Sequence, residues 1–310
     1  MSKRMSDENV FNKEITDEDA INQRFGNISI ENQGQLKVTG LSATVFGTTT
    51  INGIVATSAD KAWIHASGSS KCVLVDENGK VDEEKEFGKN YIHFIIKDGF
   101  HVYTPVLSGS IVKYIDGEST PVCSKSPHYA TGICMTRDGS DVLVCLVQRT
   151  ILHINDSTQG EVHHIDMAGN TIKTYTKDEK DQTKLFTFPD RIAQNVNLDL
   201  CVVDVLDIDF SCRVVVVTSD STIRFTYQGR PELDKTFFVG DIVCDSDGRI
   251  ILTDLYNHSI HVLSSEGDFM KFLITADDGL TGPYSLALYD KTLWVGCKAG
   301  VVKLYKLKFD

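Results

Sequence analysis

Asp241-Ile-Val-Cys-Asp-Ser-Asp-Gly-Arg-Ile-Ile-Leu-Thr-Asp254 reads as a strand, an Asp-Gly turn and a second strand ending in Asp. Leu255-Tyr-Asn-His258 then turns the chain, Ser259-Ile-His-Val-Leu263 supplies a third strand, and Glu266-Gly267 turns it again. Phe269-Met-Lys-Phe-Leu-Ile274 makes a fourth. Runs of β-branched and aromatic residues bounded by Gly, Asp, Asn and Ser are strand signals. One unit is roughly forty residues, the period of a propeller blade.

Working outward, the same phrase recurs. Thr131-Gly-Ile-Cys-Met-Thr-Arg-Asp-Gly139 precedes Asp141-Val-Leu-Val-Cys-Leu146, and Tyr284-Ser-Leu-Ala-Leu-Tyr289 precedes Thr292-Leu-Trp-Val-Gly296. Asn52-Gly-Ile-Val-Ala-Thr-Ser-Ala-Asp60 leads into Lys61-Ala-Trp-Ile-His65. Looser copies lie at Tyr91-Ile-His-Phe-Ile-Ile96 and at Leu198-Asp-Leu-Cys-Val-Val203 with Val214-Val-Val-Val217. The count is about six, and long amphipathic helix patterns are missing. The expectation is an all-β, six-bladed β-propeller occupying residues 34–310. Residues 1–33, with seven acidic and four basic residues, read as a polar, flexible lead-in.

The last unit stops after three strands. An unpaired apolar edge invites aggregation, and closing the ring removes it. Gln35-Leu-Lys-Val-Thr39 or Ala43-Thr-Val-Phe46 is therefore expected to add the fourth strand of the last blade.

Composition narrows the function classes. The 310 residues carry a formal net charge of −12, are 41% hydrophobic and 24% charged. Phosphate binding depends on clustered Lys and Arg, and no such cluster appears, so nucleic acid is disfavoured as a partner. No run reaches the roughly 18–20 apolar residues of a membrane helix, and no apolar stretch follows the N-terminal charges. The eight cysteines form no Cys-x-x-Cys pair and sit mostly inside apolar runs, such as Val144-Cys145-Leu146. They read as buried free thiols in a cytoplasmic protein, with no metal and no cofactor expected.

Asp247-Gly-Arg-Ile-Ile-Leu-Thr-Asp-Leu-Tyr-Asn-His-Ser-Ile-His-Val-Leu263 resembles an NHL repeat. Further likeness lies in Phe188-Pro-Asp-Arg-Ile-Ala-Gln-Asn195, in Arg224-Phe-Thr-Tyr-Gln-Gly229, and around Trp63 and Trp294. Residues about 35–310 thus resemble the C-terminal NHL propeller of tripartite-motif (TRIM) proteins, although the name-giving triplet reads Asn257-His258-Ser259. The residues ahead of the repeats contain no cysteine and no heptads, so the RING, B-box and coiled coil of that class are not expected in this chain. The resemblance implies no ligase activity but the substrate- or partner-binding half of a ubiquitin-pathway design, acting with a RING-bearing TRIM relative.

Several residue patterns invite chemistry. Asp254 and Asn257 suit backbone bonding in their turn. His163 and His164 must point to opposite faces of a strand, which prevents one metal from holding both. His258 and His261, around a turn and strand start, read as surface polarity. The acidic run 76–86 reads as a solvated outer edge. A metal-dependent, gluconolactonase-like hydrolase would need carboxylates and amides from several blades; Asp190, Asp241 and Asn195 are the candidates, but no pattern joins them. No catalytic elbow or phosphate loop is present. No enzyme activity is expected.

The expected functional surface is one rim, where loops between blades and between second and third strands converge. That places Tyr129, Phe188, Asp190, Arg191, Asp241, Tyr256, Asn257, His258 and Tyr284 together as a partner-binding surface. Aromatics and Arg dominate protein interfaces, so a protein or peptide is the expected partner. RNA binding, known for some NHL propellers of this class, is the alternative and runs against the net charge.

Overall fold

The computed structural model describes residues 20, 24, 26–37, 49–87, 91–97, 99–105, 108–148, 154–155 and 157–309, with the backbone alone for strand residues 32–37, 91, 92 and 97. Six four-stranded antiparallel sheets account for almost all of it. Five are built in simple chain order: blade 1 spans 51–86, blade 2 spans 91–124, blade 3 spans 129–175, blade 4 spans 188–227 and blade 5 spans 242–274. Blade 6 takes Pro283–Tyr289, Thr292–Cys297 and Val301–Phe309, and its outer strand comes from the other end of the chain. The only described helical turn outside these sheets with defined bounds is the 3-10 turn Ala276–Asp278.

The first strand of each blade is the innermost, and first strands of neighbouring blades pack against one another around the axis. Second strands are buried on both faces: Val142–Val147, Leu200–Val205 and Thr292–Cys297 are buried at every residue. A strand covered on both sides is mainly apolar instead of alternating, which is why Val142–Val147 reads as unbroken Val, Leu and Cys, while the buried Asp204 of the second run is satisfied by Arg213 (2.9 Å) and by the Thr187 and Phe188 N–H groups. Outer strands meet water, and Val81–Glu86 accordingly exposes Asp82, Glu83, Glu84 and Glu86.

The hairpins share one device. The side chains of Asp76, Asp166, Asn195, Asp207 and Asp245 each accept backbone N–H bonds from the residues two and four positions on. Such Asx turns tie down amides that the tight loop would leave unpaired.

Ring closure is confirmed in principle and corrected in place. Ile28–Lys37 pairs antiparallel with Val301–Phe309, from Ile28 opposite Phe309 to Lys37 opposite Val301. The expected segment Gln35-Thr39 captured only the end of this strand, and 43–46 lies outside the described residues. The strand begins within the stretch expected to be flexible. Its alternation is what was overlooked: Ile28 is fully buried among Tyr305 and Leu307, with Ile30 packed beside it, while Glu31 is exposed. An outer strand needs few apolar residues, so a polar composition did not argue against it.

Candidate functional site

Five of the six inner strands carry a bulge near their start, between Ile51 and Gly53, Tyr91 and His93, Ala130 and Gly132, Pro189 and Arg191, and Pro283 and Ser285. A bulge adds one unpaired residue and re-aims its side chain. Here the extra residues are Asn52, Ile92, Thr131, Asp190 and Tyr284; in blade 5, Asp241 stands immediately before its inner strand Ile242–Cys244. Equivalent positions of adjacent blades touch. Thr131 Oγ1 donates to Pro189 O (2.5 Å), Ser285 Oγ to Ile51 O (2.8 Å), and Leu286 N to Asp241 Oδ2 (2.9 Å). A Cβ on Gly132 would lie 2.5 Å from Asp190 O. The bulges therefore form a ring at one end of the axial channel.

That channel holds a cavity of about 280 Å³ lined by all six inner strands. Its surface is divided almost evenly between polar and apolar atoms, with Ile54, Ile95, Ile133, Ile192, Val243 and Leu286 among the apolar residues and Asn52, His93, Arg191, Gln194 and Asp241 as the polar side chains. Arg191, only 6% exposed, is the centre of the polar set. Its Nη1 donates to Asp190 Oδ2 (2.7 Å), to Asp190 O (3.0 Å) and to His93 Nε2 (2.9 Å). His93 must accept that bond and so is neutral, its remaining proton on Nδ1. Burial, and then the Arg191 charge, push the His93 imidazole well below its usual range. No bond from Arg191 Nε or Nη2 is found among the described residues.

Asp241 differs from Asp190. Its Oδ1 accepts from Ile242 N and its Oδ2 from Leu286 N, both at 2.9 Å, and it has no ion pair among the described residues. Burial pushes its carboxyl up to about 6, against the opposing pull of Arg191. Burial also raises Asp190 above its usual range, again opposed by Arg191. Asn52 Oδ1 is buried without a hydrogen-bond partner.

Around this mouth, Tyr284 sits with its ring centroid 6.0 Å from Arg191 Cζ and 6.3 Å from that of Phe238, which in turn lies 5.4 Å from the Tyr256 ring. Tyr129, Tyr256 and Tyr284 are all partly buried against the core between blades 4 and 5. Of the expected rim residues, Arg191 and Asp241 line the cavity, Asp190 and Tyr284 neighbour Arg191, and Tyr129 and Tyr256 pack against the same core as Tyr284. Three other members do different work. Phe188 is a core residue, 4% exposed, because Asp204 Oδ1 draws in the N–H groups of Thr187 and Phe188 (2.7 Å each). Asn257 bonds Asp254 (Nδ2 to Oδ2, 2.8 Å) and Lys235 O (3.3 Å), the local turn role its spacing suggested. His258, at φ 54°, accepts the Gly282 N–H at Nδ1 (3.1 Å) and joins blade 5 to the segment entering blade 6.

His261 is not surface polarity. It is fully buried, bonded to Tyr227 Oη (2.9 Å) and Ser259 Oγ (3.1 Å), and packed edge-on against Phe272; burial pushes it down to about 3. Asn195 cannot join Asp190 and Asp241, because it serves the opposite hairpin of blade 4, bonding Asn197 N and Asp199 N. His163 and His164 do face opposite ways, Nε2 of the first 3.1 Å from Glu161 Oε1 and of the second 2.9 Å from Asp141 Oδ2. The acidic run is met by its own blade: Lys61 and Lys80 reach Asp82 (2.8 and 3.1 Å) and Lys71 reaches Glu84 (3.0 Å). All eight cysteines are free, with Cys201 and Cys244 Sγ 3.7 Å apart. Among the described residues no cluster of three or more His, Cys, Asp or Glu is placed to hold a metal ion, and no helix is long and apolar enough to cross a membrane.

His93 and Asn52 were missed by the sequence reading. His93 lies in one of the looser copies of the repeat, and Asn52 opens another copy without a feature that singles it out. Stacking the inner strands by their bulge would have exposed them, since Gly53, Gly132 and Ser285 occupy the position that His93 and Arg191 fill with long polar groups.

No protein-family model and no curated protein matches the chain. Solved structures match its shape. Virginiamycin B lyase from Staphylococcus aureus has a TM-score of 0.59 at 13% identity, over 90% of this chain and 99% of that one. A gluconolactonase from Xanthomonas campestris scores 0.63 at 11% identity, over 91% and 98%. The β-propeller domain of Cps50 (Swd1) from Myceliophteria thermophila scores 0.53 at 12% identity, over 83% of each. At these identities the likeness shows the propeller and nothing finer; it does not extend to the TRIM class.

Proposed function

We propose that this propeller is a non-catalytic interaction module that holds a protein or peptide on the rim around the channel mouth. The observation that carries the reading is the half-buried trio Tyr129, Tyr256 and Tyr284 packed against one core cluster, with the Tyr284 ring 6.0 Å from the buried Arg191 guanidinium. Tyr and Arg are the residues in which binding energy concentrates, because they bury area while keeping a polar tip. The six blades hold the loops in place, so little ordering entropy is lost on docking. Following the NHL-like repeat, we place the chain as a recognition subunit that acts with a RING-bearing TRIM relative. The free thiols suit a reducing, cytoplasmic setting.

Selection of displayed peptides on the immobilised protein tests this. Selected peptides should lose at least tenfold in affinity on Tyr256→Ala, about 1.4 kcal/mol, while a substitution on the far hairpins such as Asp138→Ala leaves them bound. Equal binding to Tyr256→Ala, Tyr129→Ala and the unaltered protein would remove the rim from consideration.

A further inference from the structure

Three of the thiols bond to backbone. Cys72 donates to Ile64 O (3.3 Å), Cys212 to Phe210 O (3.4 Å) and Cys297 to Val295 O (3.9 Å). Cys244 differs, because its Sγ donates to another sulphur, Cys201 Sγ, 3.7 Å away. The two come from different blades. Cys201 lies in Leu200–Val205, the second strand of blade 4, and Cys244 ends Ile242–Cys244, the inner strand of blade 5.

The pair is also unequal in access. Cys201 is fully buried in the core shared by blades 4 and 5. Cys244 is only partly buried against that core and belongs to the wall of the axial channel. A channel of about 280 Å³ has ample room for a solute little larger than water, whose share of liquid volume is about 30 Å³.

We infer that Cys244 and Cys201 form a reversible redox staple between blades 4 and 5, closed by a hydroperoxide and opened by a small thiol. Cys244, on the channel wall, reacts first. Its sulphur attacks one peroxide oxygen; an S–O bond forms, the O–O bond breaks, and the departing hydroxide takes the thiol proton as water. Cys201 then attacks the sulphur of this sulfenic acid. The S–S bond forms as the S–O bond breaks, and the second hydroxide leaves with the Cys201 proton as water. Two thiols and one hydrogen peroxide thus give one disulfide and two waters. Two equivalents of a reducing thiol reverse the step through a mixed disulfide, and are themselves oxidised to a disulfide.

The sulphurs must close from 3.7 Å to about 2.05 Å. The bond from Cys244, and then burial, hold the Cys201 thiol well above its usual range, which suits it to the second, resolving step. The thiolate is the reactive form and burial opposes it, so the staple closes slowly, under sustained peroxide. Cys134 also lines the channel, and burial, followed by Cys244, pushes its thiol up. It is the natural control. The staple forms whatever docks on the rim.

The test treats the reduced full chain, natively folded at neutral pH, with excess hydrogen peroxide. The protein is then denatured, alkylated, digested and mapped by mass spectrometry without reduction. Peptides containing Cys201 and Cys244 should be joined, with two fewer alkylated thiols, and dithiothreitol should restore all eight. Cys201→Ala should lose the link and leave Cys244 as a sulfenic acid that dimedone traps. Cys134→Ser should keep the link. Mapping of the unaltered protein stands even where a core variant fails to fold. Eight free thiols after treatment, a Cys134–Cys244 link, or Cys244 carried to sulfinic acid without a link overturns the inference. So does a Cys201–Cys244 link that forms only in urea.

Discussion

At the scale of the residue, glycine spacing between blades is as decisive as apolar packing. Gly240 stands so close to the Tyr284 backbone that a Cβ there would overlap it, and Gly132 has the same relation to Asp190. Backbone cannot yield as a flexible side chain does, so the blades would have to separate. Gly240→Ala or Gly132→Ala should cost about 1–3 kcal/mol, the range of overpacked sites, measured by chemical denaturation, whereas Gly139→Ala, whose Cβ meets nothing within 4 Å, should cost only its φ of +69°. Equal costs at the three positions would refute the close-approach account. The Asp-Gly turn of blade 5 was legible in the sequence, whereas Asn195, read as a channel candidate, is a turn former that accepts the N–H groups two and four positions on. His93 was not legible, because its partner Arg191 stands on another blade.

Among the elements, the closing strand matters most. Ile28–Lys37 covers an edge nine residues long, Val301–Phe309, that would otherwise present open amides and carbonyls. Ile28 anchors it, fully buried beside Tyr305 and Leu307. Ile28→Asp places an unpaired carboxylate there, and Ile28→Asp should destabilise the protein by about 3 kcal/mol or more and promote self-association through the freed edge. Differential scanning calorimetry with light scattering checks both; an unshifted transition would show that the ring does not depend on this clasp. Second strands were easiest to read, since burial on two faces favours long apolar runs. The closing strand was harder, because one wet face lets polar residues intrude and hides the alternation of Ile28 and Ile30.

For the whole molecule, a formal charge of −12 sets up a field that favours basic partners and repels polyanions. Association with a basic peptide should therefore be steered. Its on-rate should fall about tenfold or more between roughly 20 and 200 mM salt, as the Debye length shrinks from about 20 Å to below 10 Å. Stopped-flow association at several salt concentrations measures this, and a flat on-rate would argue that the surface field plays no part in recognition.

The amino-acid sequence alone determined the repeat, the strand-rich class, the six units and the need for a strand from the opposite end of the chain. Those follow from local spacing, turn chemistry and apolar runs, each expressed within a few neighbouring residues. Only the tertiary structure decided which polar side chains meet in the channel, that Phe188 and His261 are interior, and that Asp190, not Asp241, forms the direct ion pair with Arg191. Such contacts join residues from different blades, as Arg191 joins His93 across 98 positions, and no local pattern encodes a pairing made by closing a ring.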